Sequence, residues 1–248
     1  MTLKTFFRLL AVLTALGLLI TIGVQFLVYR GKIRELNTAV NLYRLGATLS
    51  FSEDFSGKGA KVMSWKPDSA RWKIRSVQFP EYQVPKEAFE ALLKTSPLEW
   101  VDVPYQLSAY ELRSIVNIRS LKALHIDAGA LGEGDFACLH GLPLESLRVR
   151  NCRFVQELLA EVGHLPLLEE LYLEDASFAE PSETIRQLSS LKRVQRVSLD
   201  GANLRNEHIS SIVELAKSLH YLSLRGTEIS DSGIGVIVEE CPNCTVDH

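Results

Sequence analysis

The chain has only four cysteines, no excess of positive charge, and no nucleotide-binding or nucleophile motif. Four thiols in 248 residues are too few for a disulfide framework, and they leave the redox compartment open. A formal charge of -3 and a pI near 6.1 deny the basic footprint that wholesale nucleic-acid binding requires, so no nucleic-acid partner is expected. There is no P-loop and no G-x-G-x-x-G, and no Ser, Asp and His converge by spacing. Of the histidines, His125 and His220 fall at strand positions, whereas His140, His164 and His208 fall in turns or helix ends. An enzyme is therefore not expected, and no cofactor is implied.

Apolar residues are plentiful, at 46% of the chain with a mean hydropathy of +0.06, and much of the excess sits at one end. From Leu9 to Val28, twenty residues carry no charge, and only Thr14, Gly17, Thr21, Gly23 and Gln25 interrupt the aliphatic and aromatic set. A helix of about 20 apolar residues crosses about 30 Å of hydrocarbon, so this stretch is expected to enter a lipid bilayer as an anchor. The residues from Val24 to Arg30 offer no small-x-small cleavage site, which argues against a removed signal peptide. Lys4 and Arg8 on one flank nearly balance Arg30, Lys32 and Arg34 on the other. The ordinary signal-anchor arrangement then places the short tail inside and the remainder outside the cytoplasm.

Beyond the anchor, Ile33, Leu36, Val40 and Tyr43 keep helical spacing up to Gly46, and Leu49 and Phe51 alternate with polar residues as a strand does. That strand is expected to cover the open end of the domain beyond it, with Trp65 and Trp72 flanking a polar loop and packing on the same cap. The rest of the chain is periodic. Leu219, Leu222, Leu224, Thr227 and Ile229 follow the pattern L-x-x-L-x-L-x-x-(N/C/T)-x-L, and the same pattern restarts at Ile74, Leu98, Leu121, Leu144, Leu168 and Val194. The steps between starts are 24, 23, 23, 24, 26 and 25 residues. After each strand comes helical i, i+3, i+4 spacing: Phe89, Leu92 and Leu93; Leu112, Ile115 and Val116; Val155, Leu158, Leu159 and Val162; Ile209, Ile212, Val213 and Ala216; Ile234, Ile237, Val238 and Cys241. Pro85, Ser108 and Ser230 with Asp231 mark helix starts.

The run from about Ile74 onward resembles leucine-rich-repeat proteins with helical convex sides, close to the ribonuclease-inhibitor-like and cysteine-containing subtypes. Thr227-Glu-Ile-Ser-Asp-Ser-Gly-Ile234 is similar to their T-x-I-[ST]-D-x-G-[IL] turn. With the anchor and Leu45-Gly-Ala47, the whole chain resembles bacterial single-pass leucine-rich-repeat proteins of unassigned function. The resemblance implies an α/β, right-handed solenoid with parallel strands on the concave side and short helices on the convex side, behind an N-terminal transmembrane helix. It divides the chain into an anchor (1–31), a juxtamembrane helix, cap strand and loop (32–73), and a repeat domain (74–248). It also implies binding of other proteins rather than catalysis. The chain departs from the family at the ninth repeat position, which reads Tyr82, Gln106, Gly129, Cys152, Ala176, Ala202 and Thr227, so an irregular loop ladder is expected.

Cys241-Pro-Asn-Cys244 invites a second function class, a small envelope thiol or metal protein. Its spacing also fits buried structural thiols, since Cys241 closes a helical stripe and Cys244 falls 25 residues after Leu219, at the start of a truncated eighth strand. The strand pattern places the residues between the apolar positions in rows on the open face. One row reads Gln78, Asp102, His125, Arg148, Tyr172, Ser198 and Ser223; the next reads Pro80, Pro104, Asp127, Arg150, Glu174, Asp200 and Arg225. Trp100 and Tyr221 stand in a third. Part of this charge is accounted for if Asp127, Arg150 and Glu174 pair across strands on a solvated face. Tryptophan and tyrosine exposed among arginines are nonetheless the residue types that dominate binding hot spots. The expected docking surface for a protein partner is therefore Trp100, Arg148, Arg150, Tyr172 and Glu174.

Overall fold

The computed structural model describes residues 47–53, 72–81, 89–90 and 98–248. Among these, no helix is long and apolar enough to cross a membrane; the expected anchor at residues 9–28 and the helix predicted after it lie outside the described residues, as do Pro85 and Trp65.

One nine-stranded sheet runs the length of the described chain in sequence order. Its strands are β1 (Thr48–Glu53), β2 (Trp72–Gln78), β3 (Trp100–Gln106), β4 (Ala123–Asp127), β5 (Ser146–Arg150), β6 (Glu170–Glu174), β7 (Arg196–Ser198), β8 (Tyr221–Ser223) and β9 (Thr245–Asp247). β1 lies antiparallel on β2, and every later pair is parallel. Parallel neighbours need a crossover between them. The crossovers carry α1 (Ala109–Ile115), α2 (Val155–Val162), α3 (Pro181–Ser189), α4 (Ile209–Ala216) and α5 (Asp231–Glu240), with a short 3-10 turn at Asp135–Leu139. This is a solenoid of leucine-rich repeats.

The repeat register read from the sequence is the register of the sheet. Val77, Val101, Leu124, Leu147, Leu171, Val197, Leu222 and Val246 are paired in one line across the strands. The first seven are buried beneath the helices, as are Leu98, Leu121, Leu144, Leu168, Val194 and Leu219 from the first repeat position. No repeat buries this apolar line alone; stacking of neighbours makes it one continuous core. The main chain locks the stack just before each strand. The carbonyls of Glu99, Lys122, Glu145, Glu169 and Gln195 each accept two N–H groups from the next repeat. Buried backbone groups are thereby satisfied without help from side chains.

Beyond the strands the loop ladder is regular, contrary to expectation. The N–H groups of Leu107, Ala128, Asn151, Asp175 and Gly201 donate in turn to the carbonyls of Asp127, Arg150, Glu174, Asp200 and Arg225. The eighth-position backbone makes this ladder, so alanine at the ninth position costs it nothing.

The helices follow their predicted stripes with two corrections. Ser108 caps α1 in a capping box with Glu111, and Ser230 caps α5. Val238, counted in the α5 stripe, is instead 47% exposed, and the buried stripe is carried by Ile234, Ile237 and Cys241 alone. α3 was not foreseen. Its sequence, PSETIRQLS, buries Thr184 beside Ile185 and Leu188, with the hydroxyl bonded to the Glu180 carbonyl and to Gln156.

β3 carries the one large irregularity of the parallel part. Val103 pairs with Ile126 but Gln106 pairs with Asp127, so Pro104 and Tyr105 are two extra residues in a bulge. The bulge turns the Tyr105 ring into the core, edge-on to Phe79, where its hydroxyl donates to Glu111 at 3.1 Å. Pro104 therefore does not stand in the row with Asp127; Gln106 does.

Candidate functional site

The open face of the sheet carries the residues at the third, fifth and seventh repeat positions, and strand register decides which of them meet. Asp102, His125, Arg148 and Tyr172 are successive partners across β3, β4, β5 and β6. Arg150 and Glu174 are partners two residues further on. Trp100 is edge-on to His125, with ring centres 5.2 Å apart, and the Arg148 guanidinium lies 4.8 Å above the Tyr172 ring. The five residues predicted as a docking surface thus lie on three strands, β3, β5 and β6, with His125 of β4 between them. Trp100 and Tyr172 are half-buried rather than fully exposed: Trp100 packs against the His125 ring, and Arg148 covers one face of Tyr172.

A depression of about 440 Å³ opens here, lined in part by Asp102, Pro104, His125, Arg148, Arg150 and Glu174. The Arg150 guanidinium spans it to donate to the Pro104 carbonyl at 3.0 Å, so the bulge of β3 forms one wall. Glu174 Oε1 lies 3.3 Å from Arg148 Nε, a close ion pair outside hydrogen-bond geometry. The expected cross-strand pairing of Asp127, Arg150 and Glu174 does not form. Asp127 is buried and accepts instead from Gly129 N at 2.9 Å and Asn151 Nδ2 at 2.8 Å, an internal brace rather than a solvated charge.

Burial pushes the His125 imidazole down to about 4, and Arg148 and Arg150 push in the same direction, so the ring is neutral at pH 7. Burial raises the Asp102 carboxyl above its usual range against the pull of Arg150 and Arg148. Further along, the charges satisfy one another. Arg225 pairs with Asp247 at 2.7 Å, Asp200 accepts from Ser223 and from Arg225 N, and Arg196 lies over the Tyr221 ring at 4.6 Å. His220 lies outside β8, exposed beside Gln195.

The cysteines take the structural role. All four are free thiols; Cys152, Cys241 and Cys244 are buried. Leu222 pairs with Val246, a step of 24 residues, so Cys244 sits one place later than its predicted alignment but still under β9. Burial pushes the Cys244 thiol up to about 11 and raises Cys241 as well. Redox or metal chemistry at a C-x-x-C needs the opposite shift, toward the thiolate. The helix-face histidines do converge, against expectation: His140, Glu161 and His164 bring three ligand atoms within 4.8 Å of one another.

No family model matches the chain, and no curated protein matches it. Solved structures are similar in fold. A Bacteroides fragilis protein is 17% identical at a TM-score of 0.49, covering 64% of this chain and 49% of that one. An internalin from Listeria monocytogenes is 13% identical at 0.40, covering 67% and 58%, and a leucine-rich-repeat protein of Leptospira interrogans is 19% identical at 0.44, covering 70% and 48%. The chain spans about half the length of these structures.

Proposed function

We propose that the chain is a membrane-tethered binding module that docks a protein partner on the open strand face across β3 to β6. The observation that carries this reading is the depression between the β3 bulge and Arg148, Arg150 and Glu174, beside which Trp100 packs on His125 and Tyr172 on Arg148. Trp100, Arg148, Arg150, Tyr172 and Glu174 are its contact residues. Trp and Arg anchors held rigid by neighbours lose little entropy on binding, which suits a hot spot. A patch of about 800 Å² per partner, the size of an ordinary stable interface, fits on four to seven strands spaced about 4.8 Å apart. The face is read as a recognition surface, on the strength of its paired aromatic and arginine side chains.

The tether is the segment from Leu9 to Val28, with the solenoid outside the cytoplasm; resistance of the full chain to alkaline extraction from membranes tests it. Docking is tested by capture from membranes with the Trp100→Ala, Arg148→Ala, Tyr172→Ala triple variant, checked as folded by circular dichroism. Loss of the captured proteins is expected. An unchanged set would place the docking surface elsewhere.

A further inference from the structure

On the helix side, two successive repeats end in histidine. His140 closes the 3-10 turn of one repeat, and His164 follows α2 in the next, three residues after Glu161. Stacking of the repeats brings these return turns together, and the two imidazoles lie nearly face to face, with centres 4.4 Å apart and planes 34° from parallel. His140 Nδ1 is 3.2 Å from Glu161 Oε2. We propose that His140, Glu161 and His164 form a binding site for one borderline divalent cation of the zinc class.

The distances suit that ion. Two donors each about 2.0–2.1 Å from a tetrahedral zinc lie about 3.3 Å apart, close to the His140–Glu161 separation of 3.2 Å. The third donor atom is within 4.8 Å of both. His140 is 61% exposed at its side chain, so its ring can swing to close the remaining gap without disturbing the core. The donor set decides the class, because two imidazoles with one carboxylate favour zinc and its neighbours over calcium or magnesium, which take oxygen. His164 is already oriented as a ligand. Its Nδ1 lies 2.9 Å from the Ala160 carbonyl, which fixes the hydrogen on that nitrogen and leaves Nε2 free for an ion. Three protein ligands leave a fourth position for water or for a group from another molecule.

The site is distinct from the C-terminal thiol pair and from Cys138, whose Sγ donates to the Asp135 carbonyl. The test is titration of the purified full chain with Zn²⁺ in competition with a chromophoric chelator, and with Co²⁺ followed by visible absorption. One ion per chain is expected, without a thiolate charge-transfer band. His140→Ala, His164→Ala and Glu161→Gln are each expected to weaken binding by at least on the order of tenfold to a hundredfold, the usual loss on removing even a partner that only orients a ligand. Cys138→Ser, His208→Ala and the Cys241→Ser, Cys244→Ser double variant are expected to leave it unchanged. Equal affinity in wild type and in the His140→Ala, His164→Ala double variant overturns the site, as does loss of binding in the cysteine variants.

Discussion

A left-handed backbone turn follows four consecutive strands, at Asn151, Asp175, Gly201 and Gly226, with φ between 52° and 69°. Asparagine, aspartate and glycine are the residues that tolerate this region at least cost, so the turn is written at the eighth position of each of these repeats. Gly201 and Gly226 separate two effects. A Cβ at Gly226 meets only ordinary contacts, whereas at Gly201 it would fall 2.2 Å from Asp175 Oδ1. Gly226→Ala is expected to cost about 1–2 kcal/mol from backbone strain alone, and Gly201→Ala more, with the excess removed by Asp175→Gly. Chemical denaturation of the three variants checks this; equal costs at both glycines would mean Asp175 simply rotates away. His125 supports a prediction about acid. Its folded pKa near 4 lies below the ordinary 6.5, so the unfolded chain binds the proton more tightly. The stability associated with the neutral ring is complete above about pH 6.5 and is lost as pH falls toward 4, by on the order of 2–3 kcal/mol. His125→Gln is expected to flatten denaturation midpoints over this window, and an unchanged slope would show that the ring titrates normally.

At the scale of elements, the strands and most helices were legible because apolar spacing directly reports which side faces the core. Ser108 and Ser230 marked helix starts for the same local reason. What escaped was structure whose signal is not apolar. α3 offers only Ile185 and Leu188, and its third core residue is a threonine whose hydroxyl is satisfied inside the helix layer. The β3 bulge is invisible to a period count, since Val103 and Gln106 both fit an unbroken strand; only the pairing with β4 reveals the two extra residues. The site was legible to a matching degree. Rows across the sheet follow from register, but the depression depends on the bulge and on where Arg150 reaches. His140 and His164 were readable as residues in return turns, yet their meeting depends on repeat lengths that differ by one or two. Leu171 tests the element-scale claim. It is fully buried on β6, between Leu147 and Val197 in the paired line. Leu171→Asp places an unpaired charge in the continuous core and is expected to cost several kcal/mol, enough to remove the cooperative thermal transition. A variant that melts normally would show that β6 does not face the core.

Across the whole molecule, stability is a sum over neighbours, and the ends decide whether such a sum stands alone. β1 covers the free edge of β2 in the antiparallel sense, and Ala47 just before it joins the core. At the other end β9 covers β8, with Cys241 and Cys244 buried beneath and the Asp247 carboxylate tied to Arg225 and Tyr221. β9 is only three residues long, and so short an edge offers little template for further pairing. Deleting Met1 to Gly31 is expected to leave a soluble domain with unchanged helix and strand content, because the stacked repeats bury one continuous core of their own. Far-UV circular dichroism and size-exclusion chromatography of the truncated chain measure this. An aggregated or unfolded product would show that the N-terminal segment packs against the solenoid, and the division at residue 31 would then be wrong.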